Sequence, residues 1–312
     1  MKSYLISSTK KSSGKTIIAT GISSILSRTD SLAVFKKGPD YIDPYWLSLA
    51  SKVNCYNLDF FTMSNSEIKK LYKQMSYEKN ISIIEGNKGL FDGISLDGGD
   101  SNASLAHLLK LEVILVIDCV GMTRGVAPLL KGYQEFDKKI KYKGIILNNI
   151  ANDRHENKVI NAINEFTKLK VIGSIHKNKQ LTIMEKKLGL EPVFQNPYTK
   201  NIIKNISSVI KKSVDMKYLI NKKTNNKDNK IPKVVLKKHI YSNLRIGVAF
   251  DSAFGFYYPD DINEFKRLGA KIIYFDTLKD KVLPKVDGLF IGGGFPERVA
   301  DKLTKNTRMI KS

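Results

Sequence analysis

The sequence has few of the residues that would build a disulfide framework or a structural zinc site. Among 312 residues there are 2 cysteines, Cys55 and Cys119, and 4 histidines without metal-ligand spacing. Disulfide-stapled secreted domains and four-ligand zinc modules are therefore excluded as classes. This cysteine usage is typical of a reducing compartment, and we expect a cytoplasmic protein.

A long hydrophobic run is also absent. The most apolar window, residues 111–120, contains Glu112 and Asp118 and is too short to cross a bilayer, which takes roughly 20 apolar residues. The N-terminus has no sustained apolar segment followed by a small-residue cleavage site. We therefore predict no membrane span and no membrane partner.

Negative charge is scarce, since 30 acidic residues face 52 lysines and arginines, giving a formal net charge of +22. Such a charge suits nucleic acid or a polyanionic small substrate. However, the lysines are scattered along the chain, and no RNA-binding motif accompanies them. We interpret most of them as solvated surface residues, and we do not expect a nucleic-acid partner.

Apolar segments typical of strands alternate with helical patterns. Because these strands are apolar on both faces, the pattern predicts a doubly wound, mostly parallel α/β sheet covered by helices on both sides. In such a sheet ligands bind at the carboxyl ends of the strands. The predicted strands are 3–7, 31–35, 81–85, 112–118 and 143–148, and the predicted helices include 15–26, 103–110 and 157–166.

Composition also predicts the domain organisation. Residues 1–210 contain the first α/β pattern. Residues 211–243 are rich in Lys and Asn, and we interpret them as a linker. A second α/β pattern begins at residue 244 and continues to 312. Because so few residues remain, we expect this second domain to be incomplete.

The first strand leads into a candidate phosphate-binding loop, residues 8–16, and then into a helix. In such loops backbone N–H groups hold phosphate, the lysine reaches the outer phosphates and the hydroxyl ligates Mg²⁺. Thr9 stands where the standard pattern has its first glycine, so a helix-capping turn remains an alternative. The residues of interest are Ser12, Ser13, Gly14, Lys15 and Thr16.

Acidic side chains follow the second and third predicted strands. Asp40 and Asp43 lie in a loop with Gly and Pro, Glu85 ends an apolar strand, and Asp92 stands between glycines. Carboxylates near a phosphate loop suit Mg²⁺, which prefers oxygen ligands. Ordinary turns are the alternative for each of them separately. Asn148 ends a further strand, and its amide could pair with an adenine edge.

Together these segments resemble the cobyrinic acid a,c-diamide synthases, over nearly the whole chain and in the right order. GPDYIDP, FGFYYPD and GGGFPE are the specific motifs, whereas the phosphate loop is shared with dethiobiotin synthetase and many ATPases. The matching segments are 14–16, 38–44, 85–93, 104–122, 144–150, 254–260 and 292–297.

The resemblance implies a dethiobiotin-synthetase-like, ATP-dependent first domain and a flavodoxin-like class I glutamine amidotransferase domain. MgATP would phosphorylate an acetate carboxylate of a corrinoid, and ammonia, free or from glutamine, would displace the phosphate. Thr16, Asp40 and Glu85 would complete the metal site, and Asn148 would meet adenine. The substrate and the acyl phosphate would be lined by Tyr41, Ile42, Asp43 and Asp92.

The chain departs from the family pattern at two places. Ser8 and Ser12 replace earlier glycines of the phosphate loop, and their Cβ atoms could crowd the backbone against phosphate. The chain also ends at Ser312, before the nucleophilic cysteine and the histidine of the family's glutaminase. We therefore expect the use of free ammonia, a separate glutaminase chain or a homodimer.

Three alternatives remain open from the sequence. The related enzyme that amidates nickel sirohydrochlorin shares these motifs, so the identity of the tetrapyrrole is undecided. A non-catalytic remnant of a split gene would explain the altered loop. A phosphate-loop ATPase acting as a partitioning switch would fit the basic charge, although it has no evident need for GPDYIDP.

Overall fold

The computed structural model describes residues 1–178, 181, 198–220 and 243–312. These residues form two compact units, one ending at Ile220 and the other spanning 243–312. Within the described part of the chain, no helix has the length and apolar character needed to span a membrane.

The first unit is built on a seven-stranded sheet in the order β3-β2-β4-β1-β5-β6-β7, with every neighbouring pair parallel. Its central strands are buried on both faces, as their largely apolar sequences favour. This confirms the predicted α/β phosphate-loop fold. The strands are β1 Lys2–Ser8, β2 Leu32–Lys37, β3 Cys55–Leu58, β4 Ile81–Glu85, β5 Glu112–Asp118, β6 Lys141–Ile150 and β7 Val171–His176.

Helices connect and cover these strands. The first and seventh helices pack closely because Gly21 has no side chain, and a Cβ there would lie 2.3 Å from Ile210. The helices of this unit are α1 Lys15–Leu26, α2 Asp43–Ser51, α3 Asn65–Met75, α4 Asn102–Leu109, α5 Val126–Phe136, α6 Asp153–Phe166, α7 Thr199–Ser213 and α8 Met216–Ile220.

The structure corrects the start of the predicted linker. Residues 211–220 complete α7 and form α8, and the hydroxyl of Tyr4 in β1 donates to the Leu219 carbonyl at 2.9 Å. The high Lys content misled the prediction, because the apolar residues Val214 and Leu219 are buried. Residues 221–242 of the predicted linker lie outside the described residues.

The second unit contains a parallel three-stranded sheet, β10-β8-β11, and an antiparallel pair, β12-β9. A buried carboxylate, Asp251, ties the turn after β8 to the turn after β10, because it accepts bonds from the backbone of Ala253 and of Thr277. The elements are β8 Arg245–Ala249, β9 Phe254–Phe256, α9 Pro259–Arg267, β10 Lys271–Phe275, β11 Gly288–Phe290, β12 Gly293–Gly294, the 3-10 helix Pro296–Val299, α10 Ala300–Lys305 and α11 Thr307–Lys311.

Candidate functional site

The loop between β1 and α1 has the backbone geometry of a phosphate cradle. Gly14 adopts φ 88°, in the left-handed region, and no side chain caps the start of α1. A Cβ atom at residue 14 would lie 2.3 Å from Asn148 Nδ2. Only glycine therefore fits here without displacing its neighbour, and the helix N-terminus is open to an anion.

Side chains of the loop hold it in shape. Lys15 is buried and its Nζ donates to Ser8 Oγ at 2.9 Å. The Ser13 hydroxyl donates to the Lys10 carbonyl at 2.8 Å. Ser12 has φ 57°, a left-handed conformation that is strained for a residue with a Cβ. The serines that replace family glycines are thus accommodated, one by hydrogen bonding and one at a cost in strain.

Behind the loop, the first turn of α1 meets an acidic cluster. The Thr16 hydroxyl donates to Glu85 Oε1 at 2.5 Å and lies 3.3 Å from Asp43 Oδ2. Asp40 lies at the edge of the cluster, where its Oδ1 accepts bonds from the backbone N–H groups of Ile42 and Asp43. The carboxyl ends of β2 and β4, which are neighbours in the sheet, bring these side chains together.

A lysine that the sequence reasoning missed lies at the centre of this cluster. Lys36 Nζ is 2.6 Å from Asp43 Oδ2, 3.0 Å from Glu85 Oε1 and 3.9 Å from Asp40 Oδ2. Its side chain is only 4% exposed. A lysine ending an apolar strand just before an acidic loop was the available signal, and its register opposite Glu85 explains the contact.

The buried charged groups of the cluster shift one another's pKa values. Burial raises the pKa of Glu85 to about 7, although the Lys36 ammonium opposes this. Burial also disfavours ionisation of Asp43, but Lys36 outweighs it and holds the pKa of Asp43 below its ordinary value. Burial and the charge of Asp43 raise the pKa of Asp40. Lys36 stays protonated, because the carboxylates overcome its burial and raise its pKa.

Two of the predicted site residues, Asp92 and Asn148, form hydrogen bonds with groups outside this cluster. Asp92 is exposed, and its Oδ2 accepts a bond from Gly89 N at 2.9 Å. Asn148 Nδ2 donates to the Ser13 carbonyl at 3.0 Å, so its amide nitrogen supports the phosphate loop. Tyr41 and Ile42 are half-buried beside Asp40, at the start of α2.

The donor set fits a nucleotide and Mg²⁺. A hydroxyl and three carboxylates supply the hard oxygen ligands that Mg²⁺ prefers, and Glu85 Oε2 is buried with no hydrogen-bond partner among the described residues. The start of α1 has no side-chain cap, and Thr16 of the same turn contacts the acidic cluster. Phosphate oxygens and a divalent cation would satisfy both features together.

Comparison with known proteins relates the two units to two families. Residues 39–185 match the profile of an AAA domain, and residues 245–312 match that of a CobB/CobQ-like glutamine amidotransferase domain. Among solved structures, the MinD cell division protein of Aquifex aeolicus is 16% identical, with a TM-score of 0.42 over 69% of this chain and 98% of that one.

Curated relatives match nearly the whole chain. The cobyrinate a,c-diamide synthase of Picrophilus torridus is 39% identical over 100% of this chain and 71% of its own length. That of Magnetococcus marinus is 38% identical over 98% of this chain and 67% of its own length, and that of Methanobrevibacter smithii is 37% identical over 98% and 68%. The chain therefore belongs to the cobyrinate a,c-diamide synthase family.

Proposed function

We propose that this chain catalyses the ATP-dependent amidation of the a and c acetate carboxylates of cobyrinic acid, a step of cobalamin biosynthesis. The observation that carries the proposal is the junction of the Gly14 cradle with the acidic cluster through Thr16, in a chain of this family. All three relatives are cobyrinate a,c-diamide synthases, which favours cobyrinate over nickel sirohydrochlorin as the substrate.

The loop residues would bind the triphosphate. Backbone N–H groups from Ser12 to Thr16 and the N-terminus of α1 would hold phosphate oxygens. Lys15 now donates to Ser8, and it would turn to a phosphate oxygen when nucleotide binds. The Asn148 oxygen would remain available for adenine while its nitrogen holds Ser13.

Thr16, Asp40 and Glu85 would hold Mg²⁺, which supplies charge neutralisation at the transferring phosphoryl group. Asp43 shares this cluster through Lys36. Tyr41, Ile42 and Asp92, which flank the cluster and the loop, would contact the corrinoid and its acyl phosphate. The strand ends of β2 and β4 fix these groups, so positioning provides much of the catalysis.

The reaction requires a better leaving group than a carboxylate oxygen. An acetate carboxylate of the substrate attacks the γ-phosphorus of ATP, and ADP leaves. Ammonia then attacks the acyl carbon, and inorganic phosphate leaves to give the amide. The site's task is to align these groups in line and to neutralise the charge that develops on the phosphoryl oxygens.

Mass-spectrometric detection of amidated cobyrinic acid tests the proposal directly. The purified chain is incubated with MgATP and either ammonium or glutamine, and ADP is measured in parallel. We expect amide product and ADP in equal amounts for each carboxylate converted. Absence of product with both nitrogen sources, from protein that binds ATP, would refute the proposed activity.

A matched pair of threonine variants tests whether the Thr16 hydroxyl takes part in the reaction. Thr16→Val removes the hydroxyl that contacts Glu85, and we expect the rate to fall at least about 100-fold. Thr20→Val removes a hydroxyl one turn later in α1 that is buried without a hydrogen-bond partner among the described residues. Its rate should match that of the unaltered protein.

The nitrogen donor, the partners and the location are narrower proposals. Ammonia or glutamine would supply the nitrogen, since a glutamine amidotransferase profile matches residues 245–312. Leu289 and Ile291 are about half exposed and support contact with a separate glutaminase chain or a second copy. A cytoplasmic location agrees with the biosynthetic role of the family.

A further inference from the structure

The carboxylate oxygens that would bind a metal ion already share one cation. Lys36 Nζ lies 2.6 Å from Asp43 Oδ2 and 3.0 Å from Glu85 Oε1. The Thr16 hydroxyl approaches the same two oxygens, at 3.3 Å and 2.5 Å. Ammonium, hydroxyl and carboxylates therefore converge on a single small volume at the ends of β2 and β4.

An ammonium and a divalent cation would compete for the same carboxylate oxygens in the arrangement observed. Mg²⁺ binds oxygen at about 2.0–2.1 Å. An ion at that distance from both Asp43 Oδ2 and Glu85 Oε1 would lie within about 5 Å of Lys36 Nζ, whichever side it approached from. Repulsion between the two positive charges is strong at such a separation, because the surroundings are buried and weakly screened.

The charge balance explains why a lysine belongs there. With Asp40, Asp43 and Glu85 ionised, the cluster would hold three negative charges, two of them on side chains that are 16% exposed or less. Uncompensated buried charges of one sign are strongly destabilising. One ammonium reduces the net charge of the cluster from −3 to −2, and so offsets part of this repulsion.

We propose that the Lys36 ammonium is the resident cation of the carboxylate cluster. It holds Asp43 and Glu85 in place when no metal is bound, and it keeps free divalent cations out of the cluster in the absence of nucleotide. Lys36 is thus a positioning residue. This inference rests on the proposed function only in taking Asp40, Glu85 and Thr16 as the metal site, and it adds Asp43, whose Oδ2 shares Lys36 with Glu85, to the groups that the ion would approach.

The ordinary phosphate-loop lysine does not take this role. Lys15 Nζ donates to Ser8 Oγ, on the loop side of α1. The neighbouring Lys37 contacts other groups, since its Nζ donates to Asn87 Oδ1 at 3.0 Å and lies 5.8 Å from the centre of the Phe60 ring. Lys37 is as buried as Lys36, which makes it a matched control for charge removal.

Binding of Mn²⁺, measured by electron paramagnetic resonance without nucleotide, tests the proposal. Unaltered protein should bind Mn²⁺ weakly, and Lys36→Met should bind it at least tenfold more tightly, because the cation's place is vacated and one more negative charge remains. Lys37→Met should bind Mn²⁺ as weakly as the unaltered protein. Lys36→Met/Asp43→Asn should lose most of the gain.

Thermal unfolding supplies a second readout that does not depend on activity. In metal-free buffer Lys36→Met should unfold roughly 5–15 °C below the unaltered protein, and Mn²⁺ should restore most of the difference. Lys37→Met should show no such recovery. If Lys36→Met does not fold in metal-free buffer, folding in Mn²⁺ buffer supports the proposal equally.

Three outcomes would overturn the proposal. They are tight Mn²⁺ binding by the nucleotide-free unaltered protein, no gain of binding in either Lys36→Met or Lys36→Gln, and equal gains in the Lys36 and Lys37 variants. These measurements use neither ATP nor cobyrinic acid. A failure of the amidation assay therefore leaves them intact, and their failure leaves the amidation assay intact.

Discussion

Asn148 Nδ2 occupies the space that a side chain at residue 14 would need, 2.3 Å from the position of a Cβ on Gly14. The same nitrogen donates to the carbonyl of Ser13 at 3.0 Å. The end of β6 therefore fixes the phosphate loop from outside, through one amide group. Any bulk added at residue 14 must break this contact as well as strain the backbone.

Gly14→Ala should weaken ATP binding at least tenfold and destabilise the first unit by about 2–5 kcal/mol, since left-handed strain and the collision with Asn148 add together. Gly121→Ala is the matched control. Gly121 also has a positive φ, 67°, but a Cβ there would meet nothing within 4 Å. Gly121→Ala should lose only about 1–2 kcal/mol of stability, from the left-handed strain, and its ATP affinity should be unchanged. Calorimetric titration measures the ATP affinity, and urea unfolding measures the stability. Equal effects in the two variants would contradict the role given to Asn148.

Ser12→Gly should tighten ATP binding and stabilise the protein by about 0.5–1 kcal/mol. Ser12 is exposed and has φ 57°, a conformation in which glycine is not strained. Lys52→Gly, at the left-handed end of α2 with φ 61°, should give a similar stabilisation without changing ATP affinity. Weaker ATP binding by Ser12→Gly would mean that the serine side chain itself contributes to the site.

The sequence predicted the sheet class and the loop, because strong apolar strands such as β4 and β5 and the Gly-Lys-Thr turn are local signals. It did not predict β3, which has four residues and contains Asn57. Yet Asn57 Nδ2 donates to the carbonyls of Gly38 and Asp40, and so shapes the acidic loop. Edge strand β7 was missed for a similar reason, since Gly173 and Ser174 interrupt its apolar pattern.

Lys36 shows the limit of sequence reasoning at the candidate site. The position of the acidic residues after β2 and β4 was readable, because parallel strands end at one edge of the sheet. Which of two adjacent lysines would enter the cluster depends on the pairing of β2 with β4, which puts Lys36 opposite Glu85. That register is a tertiary property and leaves no local pattern in the sequence.

Asp251→Ala should unfold the second unit selectively. Asp251 is 7% exposed; its Oδ1 accepts from the backbone of Ala253 and Phe254, and its Oδ2 accepts from the backbone and hydroxyl of Thr277. Loss of these charge-assisted bonds should cost about 3–5 kcal/mol.

The single tryptophan, Trp46, is buried in the first unit, so its fluorescence reports that unit alone. In Asp251→Ala, the unfolding transition measured by circular dichroism should therefore move to a lower urea concentration. The transition measured by Trp46 fluorescence should not change. Asp301→Ala, at an exposed position in α10, is the control and should shift neither. A parallel shift of both signals in Asp251→Ala would contradict independent unfolding of the second unit.

Lys37 should make the stability of the first unit depend on alkaline pH. Burial lowers the pKa of Lys37 from 10.5 to about 8, against the opposing charges of Asp100 and Asp59. Between these two values the unfolded chain binds more protons than the folded one, so the free energy of unfolding rises with pH. The gain is absent below pH 8 and complete above pH 10.5, and it amounts to at most about 3 kcal/mol.

Lys37→Met removes this titration while leaving the other groups in place. The unfolding free energy of the unaltered protein minus that of Lys37→Met should therefore increase from pH 8 to pH 10.5, which cancels the contribution of the tyrosines. Urea titrations followed by Trp46 fluorescence measure both proteins at each pH. A difference that stays flat across this range would mean that Lys37 keeps its proton in the folded state, and that Asn87 and the Phe60 ring stabilise its charge.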